Sequence, residues 1–308
     1  MELNGDGDDV TRFVAEALVT AETEPAPGPL RRRVLDAALS QRPAGRPRHS
    51  VDLSPVEGYR RTVDELAALL TGLTQLEWAA TVEHYGWTVQ GLVGHVLAVE
   101  QLLAARLGLD GVDAPSDDPD HIAMSRGVVE AQADRPPADT VADWRATADR
   151  VIDALTTTPP DLTAPVTVHG IEFSWSSLLI VRSLELWTHT DDIRRAAGQP
   201  LRAPDAERLT LMTDLAVRTL PLRLATTGTF RGTARIVLTG PGGGAWSQSL
   251  GLDGSAPPGE PNVRLIADAV GFCRLSAGRI DADELGATIA GDQLLAAAIL
   301  ATAAAFAV

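Results

Sequence analysis

The chain has 308 residues and all 26 of its basic residues are arginine, which excludes chemistry that needs a lysine amine: Schiff-base or pyridoxal-phosphate catalysis, a Walker-type loop or a kinase site. Its 41 acidic residues give a net charge of -15, which repels nucleic acid and anionic lipid, while a hydrophobic fraction of 45% suffices for packed cores. The single cysteine, Cys273, rules out an intrachain disulfide and a cysteine-rich metal site and fits a reducing compartment. In chain order, the N-terminus MELNGDGDD is acidic and lacks the apolar core of a signal peptide. Residues 8–20 and 28–42 read as two short helices flanked by linker composition, so residues 1–50 form an extension that is helical or partly disordered.

Four segments with apolar residues at helical spacing follow, at 55–73, 88–108, 138–156 and 174–197, and irregular loops join them. This pattern predicts a four-helix bundle over residues 51–200. Between the third and fourth segments, VTVHGIEFSW alternates around His169 and Gly170 as a small hairpin at one end of the bundle. A helix at 205–226 leads into the short strands TARIVLTG, WSQSLGL and NVRLIAD, separated by the turn-forming runs PGGG and DGSAPPGEP. Helices at 268–278 and 292–306 complete a small α+β unit over residues 201–308. The last apolar run, from Leu294 to Val308, is shorter than the roughly 20 residues of a membrane span, and the whole reads as a soluble cytoplasmic protein.

On a helical wheel of about 100° per residue, Arg182, Glu185, His189 and Asp192 lie in the middle of the apolar face of the fourth segment. Buried charges persist when they pair with one another or bind a metal. Glu185 and His189, one turn apart, suit two ligands of a single ion, and His95, in a stripe with Leu92, Val99 and Leu102, is the candidate third. Two histidines and a glutamate with an open fourth position form a catalytic zinc arrangement. An ion-pair ladder along the helix is the competing reading of the same spacing. His49, His84 and His121 fall in polar or turn-rich segments and read as solvated, His169 sits at the bundle mouth, and Cys273 reads as a small apolar residue.

Three separated motifs resemble one family. WAATVEHYGWTVQGLVGH, from Trp78 to His95, is similar to the entry to the second helix of the mycothiol-dependent maleylpyruvate isomerase family, which carries a G-W-T-V-x-x-L-x-x-H pattern. RSLELWTHTDDIRRAAG, from Arg182 to Gly198, resembles that family's E-x-x-x-H-x-x-D segment. DAVGFCRLSAGRIDADELGATIAGD, from Asp268 to Asp292, looks like its sterol-carrier-like C-terminal domain.

The resemblance implies a DinB-like bundle in which His95, Glu185 and His189 hold a divalent metal, usually zinc, followed by a sterol-carrier-like α+β domain. It implies a mycothiol cosubstrate whose thiolate attacks an electrophilic small molecule, as isomerase or S-transferase. Asp192 and Arg279 are the candidate catalytic residues, the first orienting a ligand histidine and the second anchoring a substrate carboxylate. Arg182, His169 and Trp87 are the candidates around the thiol, and Arg274 is the alternative anchor to Arg279. A metal-dependent hydrolase and a non-enzymatic small-molecule carrier remain as other readings, and the assembly is a monomer or homodimer.

Overall fold

A computed structural model of the chain describes residues 53–227, 232–250 and 260–306. The helices expected at 8–20 and 28–42 and most of the DGSAPPGEP turn lie outside those residues. All four bundle segments form helices. The first, α1 (Pro55–Thr71), starts at Ser54, whose hydroxyl accepts from the backbone N–H of Glu57, and has proline in its first turn, where no N–H is needed. Its face of Tyr59, Val63, Leu66 and Leu70 follows helical spacing and is buried.

After the single turn α2 (Gln75–Trp78), two-residue strands β1 (Thr81–Val82) and β2 (Trp87–Thr88) form a tight hairpin that carries His84 and Tyr85 at its tip. Thr88 then caps α3 (Val89–Arg106), which is buried over most of its circumference and forms the centre of the bundle. The periodicity did not reveal the next helix, α4 (His121–Gln132), which Asp120 caps by accepting from the N–H groups of Ile122 and Ala123. It packs closely on α3 at Gly94, where an added Cβ would lie 3.2 Å from the backbone of Val129. The third and fourth expected helices are α5 (Pro137–Thr157) and α6 (Trp175–Ala196). The predicted hairpin lies between them as β3 (Pro165–Val168) and β4 (Ile171–Ser174). His169 occupies its turn at φ 53°, the left-handed region a type I′ turn demands.

The C-terminal part opens with α7 (Ala206–Thr227) and a sheet of order β6-β5-β7-β8, formed by β5 (Gly232–Thr239), β6 (Gly244–Leu250), β7 (Val263–Asp268) and β8 (Thr288–Gly291). β5 runs antiparallel to β6 and parallel to β7, and β7 runs antiparallel to β8, so the sheet is mixed. The three expected strands are present, and β8 is an addition. Helices α8 (Ala269–Ser276) and α10 (Gln293–Ala304) close the core with Phe272, Leu295 and Ile299, and α9 (Ala282–Leu285) is one turn between them. The architecture is therefore α plus α+β, with one core inside the bundle and another between the sheet and its helices. A third cluster joins them, where Ile180, Leu184 and Trp187 of α6 meet Leu209, Met212 and Cys273. Among the described residues no helix is long and apolar enough to cross a membrane.

Candidate metal centre

Helix α3 brings His95 and helix α6 brings Glu185 and His189 to one place. Their ligand atoms all lie within 4.8 Å of one another. Nε2 of His95 stands 3.7 Å from Glu185 Oε1, and Nε2 of His189 stands 3.8 Å from the same oxygen. The surrounding hydrogen bonds fix the tautomers. The Ser125 hydroxyl donates to the Ile122 carbonyl at 3.1 Å, so its oxygen accepts from His95 Nδ1 at 3.0 Å. The Asp192 carboxylate can only accept, so His189 Nδ1 donates to it at 3.4 Å.

In the neutral rings both Nε2 atoms therefore present lone pairs. Both are buried and neither has a hydrogen-bond partner. Two imidazole lone pairs and a carboxylate oxygen face one another with no donor between them, an arrangement that a bound cation satisfies and that is costly otherwise. Burial pushes the pKa of His95 down to about 4, which keeps the ring neutral and ready to ligate. Burial also opposes the charge of Glu185, but Arg182 holds its carboxyl well below the usual carboxylate range. The donor set, two nitrogens and one carboxylate oxygen, fits a divalent ion such as zinc.

Two sets of partners support the trio. Behind it, Arg182 Nη1 lies 2.6 Å from Glu185 Oε2, and its Nη2 donates to Glu100 Oε2 at 3.4 Å. The other oxygen of Glu100 accepts from the Tyr59 hydroxyl at 2.5 Å. This chain of charges crosses three helices in the bundle interior, with Arg182 2% exposed. Beside the trio, Asp192 accepts from Arg279 Nε at 2.9 Å and from Nη2 at 2.8 Å, which ties α6 to the loop after α8. Burial works against the Asp192 charge, but His189 and Arg279 hold its carboxyl down to about 2.

The trio opens on a cavity whose walls include His121, Val168, His169, Ile171, Phe173 and Val181 from the bundle side and Ala277, Arg279 and Phe306 from the C-terminal part. Glu185, whose side chain is 25% exposed, and His189 face into it. His169 lines the cavity with its Nδ1 held by the Asp118 carbonyl at 3.0 Å. Trp87 stacks on Tyr85 at 5.2 Å, with its ring 5.6 Å from that of His95, and stands behind the cavity wall. Arg182 lies behind Glu185 and also does not line the cavity. Arg274 pairs with Asp191 at 2.9 Å, over the Trp187 ring and away from the cavity, so of the two candidate anchors only Arg279 reaches the wall.

Residues 59–194 match the family described as "Mycothiol maleylpyruvate isomerase N-terminal domain". The match runs from α1 to α6, so the bundle resembles that family's domain. Two Mycobacterium tuberculosis proteins, from strains CDC 1551 / Oshkosh and H37Rv and both described as uncharacterized, are 26% identical to the chain over 231 residues, covering 71% of it and 83% of their own length. Crystal structures of the mycothiol-dependent maleylpyruvate isomerase and of a histidine-to-alanine mutant match with TM-scores of 0.49 and 0.47 at 16% identity, covering 73% of this chain and 88% of theirs.

Within this bundle one expectation needs correction. His121 is not solvated: α4 carries its ring to 5.5 Å from that of His95 and 6.0 Å from that of His169, at the cavity wall. His84 is exposed, as expected, and its Nε2 accepts from Arg279 Nη1 at 3.2 Å. His49 lies outside the described residues. Cys273 is buried among apolar side chains, as expected, and burial pushes its thiol up to about 12. Sequence reasoning missed Ser125, Tyr59 and Glu100. The last left a signal, being an acid inside the apolar run from Leu92 to Ala105.

Proposed function

We propose that the chain is a metal-dependent enzyme, with zinc as its ion, that activates a low-molecular-weight thiol for attack on an electrophilic small molecule. The thiol is mycothiol, the compound named in the description of its domain family, and the outcome is isomerisation or transfer of the sulfur to the electrophile. The observation that carries this reading is the convergence of two orphaned Nε2 lone pairs and the Glu185 carboxylate at the floor of a cavity.

His95, Glu185 and His189 would hold the ion. A divalent ion with an open position lowers the pKa of a thiol or water bound there. The chain's own residues set the conditions. Ser125 and Asp192 lock both imidazoles with Nε2 toward the site. Arg182 neutralises the far oxygen of Glu185 and keeps the carboxylate ionised. His121 and His169 place two further imidazoles at the cavity wall, within reach of a polar group of a bound thiol. Cys273 supplies no competing nucleophile, because its buried thiol stays protonated. The attacking sulfur therefore comes from a small molecule.

The test uses zinc-loaded full-length protein, an electrophile, and either mycothiol or its S-methyl derivative. Electrophile loss is expected only with the free thiol. Equal loss with the blocked thiol, or with none, would assign the reaction to water and overturn this reading.

A further inference from the structure

Arg279 is the only arginine that lines the cavity among the described residues, and none of its N–H groups is free. A guanidinium has five N–H donors. Here Nε donates to Asp192 Oδ1 at 2.9 Å, and Nη2 donates to Asp192 Oδ2 at 2.8 Å and to the Tyr85 hydroxyl at 2.7 Å. Nη1 donates to the Ala277 carbonyl at 2.7 Å and to His84 Nε2 at 3.2 Å. A substrate carboxylate could take this fork only by displacing Asp192, a buried carboxylate that also orients His189.

The rest of the wall offers an anion little. Val168, Ile171, Phe173, Val181 and Phe306 are apolar, Glu185 adds a negative charge, and the His121 imidazole offers an anion a single N–H at most. His169 already faces an acid, with Nδ1 3.4 Å from Asp117 Oδ1. Apart from the proposed ion, a carboxylate entering this space would lose water and find single imidazoles but no free guanidinium fork to hold it at two points.

Building on the thiol-enzyme reading above, we infer that the cavity takes an uncharged, largely apolar electrophile and discriminates against dicarboxylates. Maleylpyruvate, named in the description of the domain family, carries two carboxyl groups, so the inferred substrate class departs from it. With an aryl halide the balance is simple. The thiolate sulfur bonds to the ring carbon, the carbon–chloride bond breaks, chloride leaves with the electron pair, and the thiol proton goes to solvent.

The experiment compares 1-chloro-2,4-dinitrobenzene with maleate by isothermal titration of the full chain, metal-free and zinc-loaded, and then by turnover with mycothiol. The aryl halide is expected to bind at least about tenfold more tightly than maleate in both forms, tenfold being about 1.4 kcal/mol. An Ile171→Arg variant, which adds a cation at a wall position already 49% exposed, is expected to raise maleate affinity. Maleate binding as tight as the aryl halide, no saturable binding of either, or an Ile171→Arg variant with unchanged maleate affinity would overturn the inference. Preferential binding of the aryl halide without thiol-dependent turnover would instead leave the selectivity standing and remove the proposed reaction.

Discussion

Glu185 and Asp192 are both acids of α6, seven residues apart, and each touches His189 and one arginine. Around Asp192 every partner is matched: both oxygens accept from Arg279, whose remaining N–H groups reach Tyr85, His84 and the Ala277 carbonyl. Around Glu185 the matching stops halfway. One oxygen faces Arg182, while the other faces two Nε2 atoms that have no donor to offer. A saturated polar cluster fixes structure, whereas an acceptor-only one can receive a cation. The same helix thus carries a joint between the two cores and the candidate metal centre, and the hydrogen bonds tell them apart.

The largest effect is expected behind the metal trio. Arg182→Met leaves the buried Glu100 and the partly exposed Glu185 without their shared cation and should destabilise the fold by about 3–5 kcal/mol in denaturant unfolding. A change below about 1 kcal/mol would mean that the two carboxylates do not depend on it. At the joint, Arg279→Ala should cost about 2–3 kcal/mol, less than Arg182→Met because Asp192 keeps His189 as a partner. Metal stoichiometry should survive that change, and its loss would erase the distinction between joint and centre.

Acid should loosen the joint as well. The Asp192 carboxyl is held down to about 2 in the folded chain, below its ordinary 3.8. A depressed folded pKa contributes stability that is present above the ordinary value and is lost as pH falls from about 4 toward about 2. An Asp192→Asn variant should have a flatter acid limb in a pH series of unfolding curves, and an identical limb would argue against this assignment. Ser125→Ala releases the His95 ring and should weaken zinc affinity by about 10–100-fold, measured by competition with a chelator. The smallest effect belongs to Cys273→Ala, which should cost about 1 kcal/mol and leave thiol-dependent turnover intact.

Much of this was legible in the sequence where periodicity speaks. The helices at Pro55–Thr71, Val89–Arg106, Pro137–Thr157 and Trp175–Ala196 begin and end within a few residues of their apolar patterns, and caps at Ser54, Thr88 and Ser174 mark three of their starts. Glu185 and His189 were visible as a one-turn pair on an apolar face, and His95 as an imidazole within an apolar stripe. Helix His121–Gln132 was not visible, because it buries only Met124, Ser125 and Gln132 and so shows a weak stripe behind a turn-rich run. With it went the roles of His121 and Ser125, which depend on how closely α4 approaches α3. The saturation of Arg279 could not be read from spacing at all, since its five acceptors come from three separate stretches of chain.

The most direct test of the unmatched acceptor trio is a zinc titration of the metal-free full chain at neutral pH, followed calorimetrically, for the native protein and for His95→Ala. The account predicts one saturable site per chain in the native protein, lost in the variant while the helical spectrum is retained. A native chain that shows no saturable site, or a variant that binds zinc as tightly as the native chain, would contradict it.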